Sequence, residues 1–133
     1  MSTLNLETAT RVLTAGREAA RQIGVAMNLA VVDPAGNLVA FSRMDGAWLG
    51  SIDVALRKAK TSALFPVPSS ALGELSQPGG QIYGIEGTNG GLVSFGGGLP
   101  LAASDGTVLG AIGVSGGMVD QDVAVAEAAA KAV

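Results

Sequence analysis

Two short turns constrain this chain more than any other feature. Asp33-Pro34-Ala35-Gly36-Asn37 separates two strand-like runs, residues 27–33 and 38–43. Pro34 presets its φ, Gly36 accepts a positive φ, and the Asp33 carboxylate can bond the backbone two residues on. Ser104-Asp105-Gly106 joins residues 99–103 to 107–114 in a second hairpin. Connections this short favour antiparallel neighbours, because a parallel crossover needs about a dozen residues or more. A doubly wound βαβ fold is therefore not expected.

Helical patterns flank these hairpins. In residues 6–23 Leu6, Ala9, Val12, Leu13, Ala20 and Ile23 fall on one stripe, with Arg11, Glu18 and Arg21 largely elsewhere. Asn5 can cap this helix, Glu7 suits its positive end, and Gly24 can end it. Residues 51–64 read as a second helix stopped by Pro66 and Pro68, and residues 69–75 as a further short one. An Ala-rich helix over 120–133 closes the chain, entered through Asp120 and Asp122. Between them lies a glycine-rich stretch from Gly79 to Gly98, read as tight turns and a strand edge, with a strand at 92–95. The order is α, β-hairpin, α, β-meander, α. It predicts an α+β fold with α/β layering and five strands, in a single domain over residues 1–133.

Composition removes several functions. Hydrophobic residues make up 48% of the chain but aromatic residues only 4%, so the core is built from Ala, Val, Leu and Ile. Eight basic residues face eleven acidic ones, and only Arg57, Lys58 and Lys60 cluster. That is too little positive charge for nucleic acid or a membrane surface. No apolar run approaches the roughly 20 residues that cross a bilayer. The N-terminal residues lack the pattern of a secretory signal, and with no cysteine the cytoplasm is the expected compartment.

The absence of histidine and cysteine also removes most nucleophilic and metal chemistry. Ser115 has no imidazole to activate it, and only a lysine could serve. Asp120 and Asp122 read as helix-start residues, and no segment has ligand-loop spacing, so no metal site is expected. Gly110-Ala-Ile-Gly113-Val-Ser-Gly116 has the wrong spacing for a dinucleotide turn. What remains is Arg43-Met44-Asp45-Gly46-Ala47-Trp48, followed by Ser51 and Lys58. An Arg fork can grip a carboxylate through two parallel hydrogen bonds, and a desolvated Lys58 can act as a base. The plainer alternative is an internal Arg43–Asp45 or Lys58–Asp salt bridge.

Several segments together resemble one family. Ala30-Val-Val-Asp33 with Gly36-Asn-Leu-Val-Ala-Phe-Ser-Arg-Met-Asp-Gly-Ala47 resembles the opening motif of the GlcG/HbpS-like proteins, also called haem-degrading or DUF336 domains. Ala55-Leu-Arg-Lys-Ala-Lys-Thr61, Gly96-Gly-Gly-Leu-Pro-Leu101, Gly110-Ala-Ile-Gly-Val-Ser-Gly-Gly117 and Gln121-Asp-Val-Ala-Val-Ala-Glu-Ala-Ala129 extend the match in the family's order. The resemblance implies an antiparallel five-stranded sheet flanked by helices, assembled into homo-oligomers. It implies haem as a ligand of some members. This chain departs from many relatives by carrying Asn37 where they have histidine, which disfavours haem and leaves Tyr83, a Met or a Lys as the remaining iron ligands.

The leading expectation is a binding protein for an anionic metabolite or cofactor. Its ligand-binding residues are Arg43, Ser51, Asn37 and the loop Gly96, Gly97, Gly98, whose N–H groups would face the ligand. The alternative is a cofactor-independent isomerase, tautomerase or lyase acting on a small oxo- or hydroxy-acid. There Lys58 or Asp45 would move the proton. A purely structural assembly role is the third reading.

Overall fold

The computed structural model describes residues 4–133. Helix α1 (Leu6–Gln22) opens the chain, followed by strands β1 (Asn28–Val32) and β2 (Leu38–Arg43). Helices α2 (Gly50–Leu64) and α3 (Ser69–Leu75) lead through a 3₁₀ turn at Ile85–Gly87 to β3 (Gly98–Ala102) and β4 (Val108–Ser115). Helix α4 (Val119–Ala130) ends it. The four strands form one antiparallel sheet in the order β2-β1-β4-β3. The two hairpins lie side by side, joined through the long-range β1–β4 pairing.

The local chemistry of the turns and caps follows the sequence. Gly36 has φ +84°, and Asp33 Oδ1 accepts from the N–H groups of Ala35 and Asn37, both at 2.9 Å. In the second hairpin Asp105 Oδ1 accepts from Thr107 N–H at 2.9 Å, and Gly106 has φ +89°. Asn5 Oδ1 accepts from Thr8 N–H at 2.8 Å and caps α1. The apolar stripe of α1 is narrower than expected: Leu6 and Ile23 are exposed, because both sit at the helix ends beyond the reach of the sheet.

The sheet has four strands rather than five. Residues 92–95 are not a strand, because side chains of the helices take their backbone hydrogen bonds. Thr61 Oγ1 accepts from Val93 N–H at 3.1 Å, and its hydroxyl proton is shared between Arg57 O at 2.8 Å and Val93 O at 3.0 Å. Ser69 Oγ donates to Phe95 O at 2.7 Å and accepts from Gly98 N–H at 2.9 Å. With those groups satisfied, the segment has no need of a ladder.

Alternation along the strands makes three layers. Leu29, Val31, Leu101, Ile112 and Val114 face α1 and α4, whereas Ala30, Val32 and Ala111 face α2. Helix α2 lies unusually close to the sheet. A Cβ on Gly113 would stand 2.1 Å from Ala55 O and 2.5 Å from Ala59 N, and one on Gly98 would stand 2.4 Å from Lys58 O. These obstacles are backbone atoms and cannot swing away. No helix among the described residues is long and apolar enough to cross a membrane.

Gly113→Ala is expected to force α2 off the sheet and to cost about 3 kcal/mol or more, the upper end of overpacking penalties. Urea unfolding would measure it. A second outcome concerns pH. The Asn37 and Ala35 N–H groups and the Asn37 amide hold the Asp33 carboxyl below the usual carboxylate range. A carboxyl depressed on folding stabilises above its unfolded pKa of about 4 and loses that contribution as pH falls through the folded value. Asp33→Asn is therefore expected to be less stable than wild type at neutral pH. The gap should close as unfolding is followed to pH values below about 4.

Candidate functional site

Lys58 is the largest fully buried side chain described, with no exposure. It leaves the α2 layer beside Gly97 and meets Asp122 at the start of α4, in the opposite layer. Its Nζ donates to Asp122 Oδ2 at 2.9 Å and to Val114 O at 2.8 Å, and lies 4.9 Å from the centre of the Phe95 ring. Asp122 Oδ1 accepts from Gly117 N–H at 2.9 Å. Burial pushes the Lys58 ammonium below its ordinary pKa, and the hydrogen bond and charge of Asp122 oppose that shift. The reading of Asp122 as only a helix-start residue is thus incomplete: its side chain is buried as the counter-ion of Lys58.

Arg43 and Asp45 come together elsewhere. With Arg17, Arg21 and Met44 they line a cleft of about 340 Å³. Arg17 reaches it from α1, its Nη1 donating to Ser42 Oγ at 2.6 Å. Arg21 pairs with Glu18 at 2.9 Å. Neither Arg43 nor Asp45 takes part in an ion pair among the described residues, so of the two alternative salt bridges Arg43–Asp45 is not formed, whereas Lys58–Asp is, with Asp122. Sequence reasoning placed Arg21 on the solvent face and did not single out Arg17. Their four-residue spacing, which puts both guanidinium groups on one helix face, was the available signal.

The other expected site residues lie apart from this cleft. Asn37 belongs to the β1–β2 turn, its amide donating to Asp33 Oδ2 at 3.3 Å. Ser51 is nearly buried in the first turn of α2. Gly96, Gly97 and Gly98 are buried at the far edge of the sheet, with Gly98 N–H already bonded to Ser69. A Cβ on Gly97 would stand 2.6 Å from Lys58 Nζ, and one on Gly96 would stand 2.6 Å from a Val123 methyl. Gly96 also borders a second cleft of about 470 Å³, beside Phe95 and α3.

Residues 4–131 match the family described as haem degrading protein HbpS-like. The chain belongs to this HbpS-like family. It is 39% identical over 130 residues to a 15.0 kDa protein from the dhaT–dhaS intergenic region of Citrobacter freundii, covering 97% of this chain and 91% of that protein. It is 37% identical over 117 residues to the corrinoid adenosyltransferase PduO of Salmonella typhimurium, covering 87% of this chain but only 34% of PduO. Among solved structures, a PduOC–haem complex superposes with a TM-score of 0.92 at 33% identity, covering 99% of this chain and 96% of that one.

An HbpS-like protein invites a test of whether its residues fit haem iron. This chain has no histidine or cysteine. Tyr83 is exposed and lines neither cleft, and the Met44 sulfur accepts from Met27 N–H at 3.4 Å. Lys58 is bound to Asp122. Imidazole and thiolate are absent, and Tyr83, Met44 and Lys58 do not form an iron-ligating pocket.

Breaking the buried pair from one side leaves an uncompensated charge or an unfilled acceptor. Lys58→Met or Asp122→Asn alone is expected to cost about 3–5 kcal/mol in chemical denaturation. The double variant, whose new amide oxygen still accepts from Gly117, is expected to cost much less than the sum.

Proposed function

We propose that this HbpS-like protein binds a small anionic metabolite in the cleft lined by Arg17, Arg21 and Arg43. The observation that carries this reading is that three arginines line one cleft in a chain of net charge −3. Like charges brought together on a surface repel, and Asp45 with the Arg21-bound Glu18 offsets two of the three. Arg43, with no protein partner among the described residues, is the group that grips the ligand, and Arg17 is held in place by Ser42. Asp45 gives the cleft an acceptor for a hydroxyl or ammonium group on the same ligand. The cleft is of the size that takes a small molecule rather than a polymer.

The haem complex of the PduO relative supports small-molecule binding as the role of this fold, while the donor set here directs the choice away from iron. Catalysis of proton transfer on a small acid is a second reading, for which Asp45 lies beside the arginines. Lys58, the other group suited to that chemistry, has its ammonium closed in by Asp122, Val114 and Phe95.

Calorimetric titration with phosphate, oxalate and lactate tests the reading. At least one is expected to bind saturably, and Arg43→Ala is expected to weaken it about tenfold or more, the worth of a charge-assisted hydrogen bond. Unchanged affinity in a folded Arg43→Ala protein would remove the arginine cleft as the site. A haemin titration run in parallel is expected to give no saturable Soret shift. A stoichiometric shift lost in Tyr83→Phe would return haem as the ligand.

A further inference from the structure

The second cleft lies between α3 and the segment that leaves the sheet before β3. Ser70, Glu74 and Gln77 form one wall, and Ser94, Phe95 and Gly96 the other. Its walls are fixed by close packing rather than by flexible loops. A Cβ on Gly73 would stand 2.0 Å from Ser94 O, so α3 and this segment touch through their backbones at the base. Gln77 is held by its amide donating to Gly73 O at 2.9 Å.

Phe95 gives the cleft an unusual wall. Phe95 is 48% exposed although the core has few aromatic residues to spare. One of its faces covers the buried Lys58 ammonium at 4.9 Å. That cation draws on the ring's π density, so the outward side is better suited to an apolar or aromatic body than to a second cation. Charge recognition falls instead to Glu74, an exposed carboxylate with no ion-pair partner among the described residues. Glu86 adds a second carboxylate behind Ser94, whose hydroxyl donates to Glu86 Oε2 at 2.9 Å. The cleft therefore carries negative charge, opposite in sign to the arginine cleft.

We infer that this cleft is a second ligand site, selective for a protonated amine that carries an aromatic or alkyl body. The body lies against Phe95, the ammonium donates to Glu74, and Ser70 serves any hydroxyl. This site is independent of the anion cleft, with which it shares no lining residue.

The test uses 2-phenylethylammonium as probe and 3-phenylpropanoate as its anionic counterpart of similar shape, followed by ¹H–¹⁵N spectra of the full chain. The amine is expected to saturate, with shifts centred on Gly73, Gln77 and Gly96. Glu74→Gln, a surface change that leaves the fold intact, is expected to weaken it roughly tenfold. Phe95→Leu is expected to weaken it while retaining cover over Lys58. The carboxylate is expected to leave these resonances unmoved. Absence of saturation, equal binding to Glu74→Gln, equal binding of the anion, or shifts centred on another surface would each overturn the assignment.

Discussion

The Lys58–Asp122 pair is the constraint around which the rest of the molecule is arranged. It ties the helix on one face of the sheet to a helix on the other, past the sheet's end. For the lysine to pass, position 97 has to lack a side chain. Val114 O has no strand donor there, because the β3–β4 pairing begins at Gly98 and Gly113, and Lys58 supplies the missing hydrogen bond. Phe95 covers the ammonium. One buried charge thus accounts for a glycine and for the hydrogen bonding at a strand end. Buried pairs of this kind are weak sources of net stability but costly to break, and they penalise arrangements that leave either charge alone.

Turns and caps were legible because their chemistry is local. Asp33, Gly36, Asp105, Gly106 and Asn5 each act within four residues, and each does in the structure what its type and position require. The fifth strand was not legible. Residues 92–95 look like a strand by composition, and only Thr61 and Ser69, about thirty positions away, decide otherwise. Asp122 was hidden for the same reason. An acidic residue in a first helical turn already has a sufficient local explanation, so nothing in the sequence called for a partner 64 residues distant. Arg43 and Asp45 were found as a pair of adjacent polar groups, whereas Arg17 and Arg21 reach the same cleft only through the packing of α1 against β2.

The scarcity of aromatic residues sets the thickness of the molecule. Ala55, Ala59 and Ala63 on α2 meet Ala30, Ala111 and Gly113 on the sheet, so backbones approach where larger side chains would hold them apart. Such an interface leaves little void to rearrange at these positions. The two clefts lie instead at the edges, one at the β2 side and one at the start of β3. The aromatic residues freed from the core, Trp48, Tyr83 and Phe95, are exposed instead.

The disposition of the eight basic residues gives the arginine cleft its weight. Lys58 is locked inside the protein. Arg57 is held by Asp53 and donates to Gly90 O at 2.7 Å, and Lys60 donates to Asn89 O, so both fasten the glycine-rich loop to α2. Arg11 lies between Glu7 and Ala132 O, joining α1 to the chain after α4. Lys131 stands exposed at the end of α4, where a positive charge suits the helix terminus. Each of these five has a structural use. The remaining three, Arg17, Arg21 and Arg43, are brought to one cleft from two different elements; Arg17 bonds Ser42, Arg21 pairs with Glu18, and Arg43 has no ion-pair partner among the described residues. In a chain with more acidic than basic residues, positive charge collected in this way is the feature on which the proposed anion site rests.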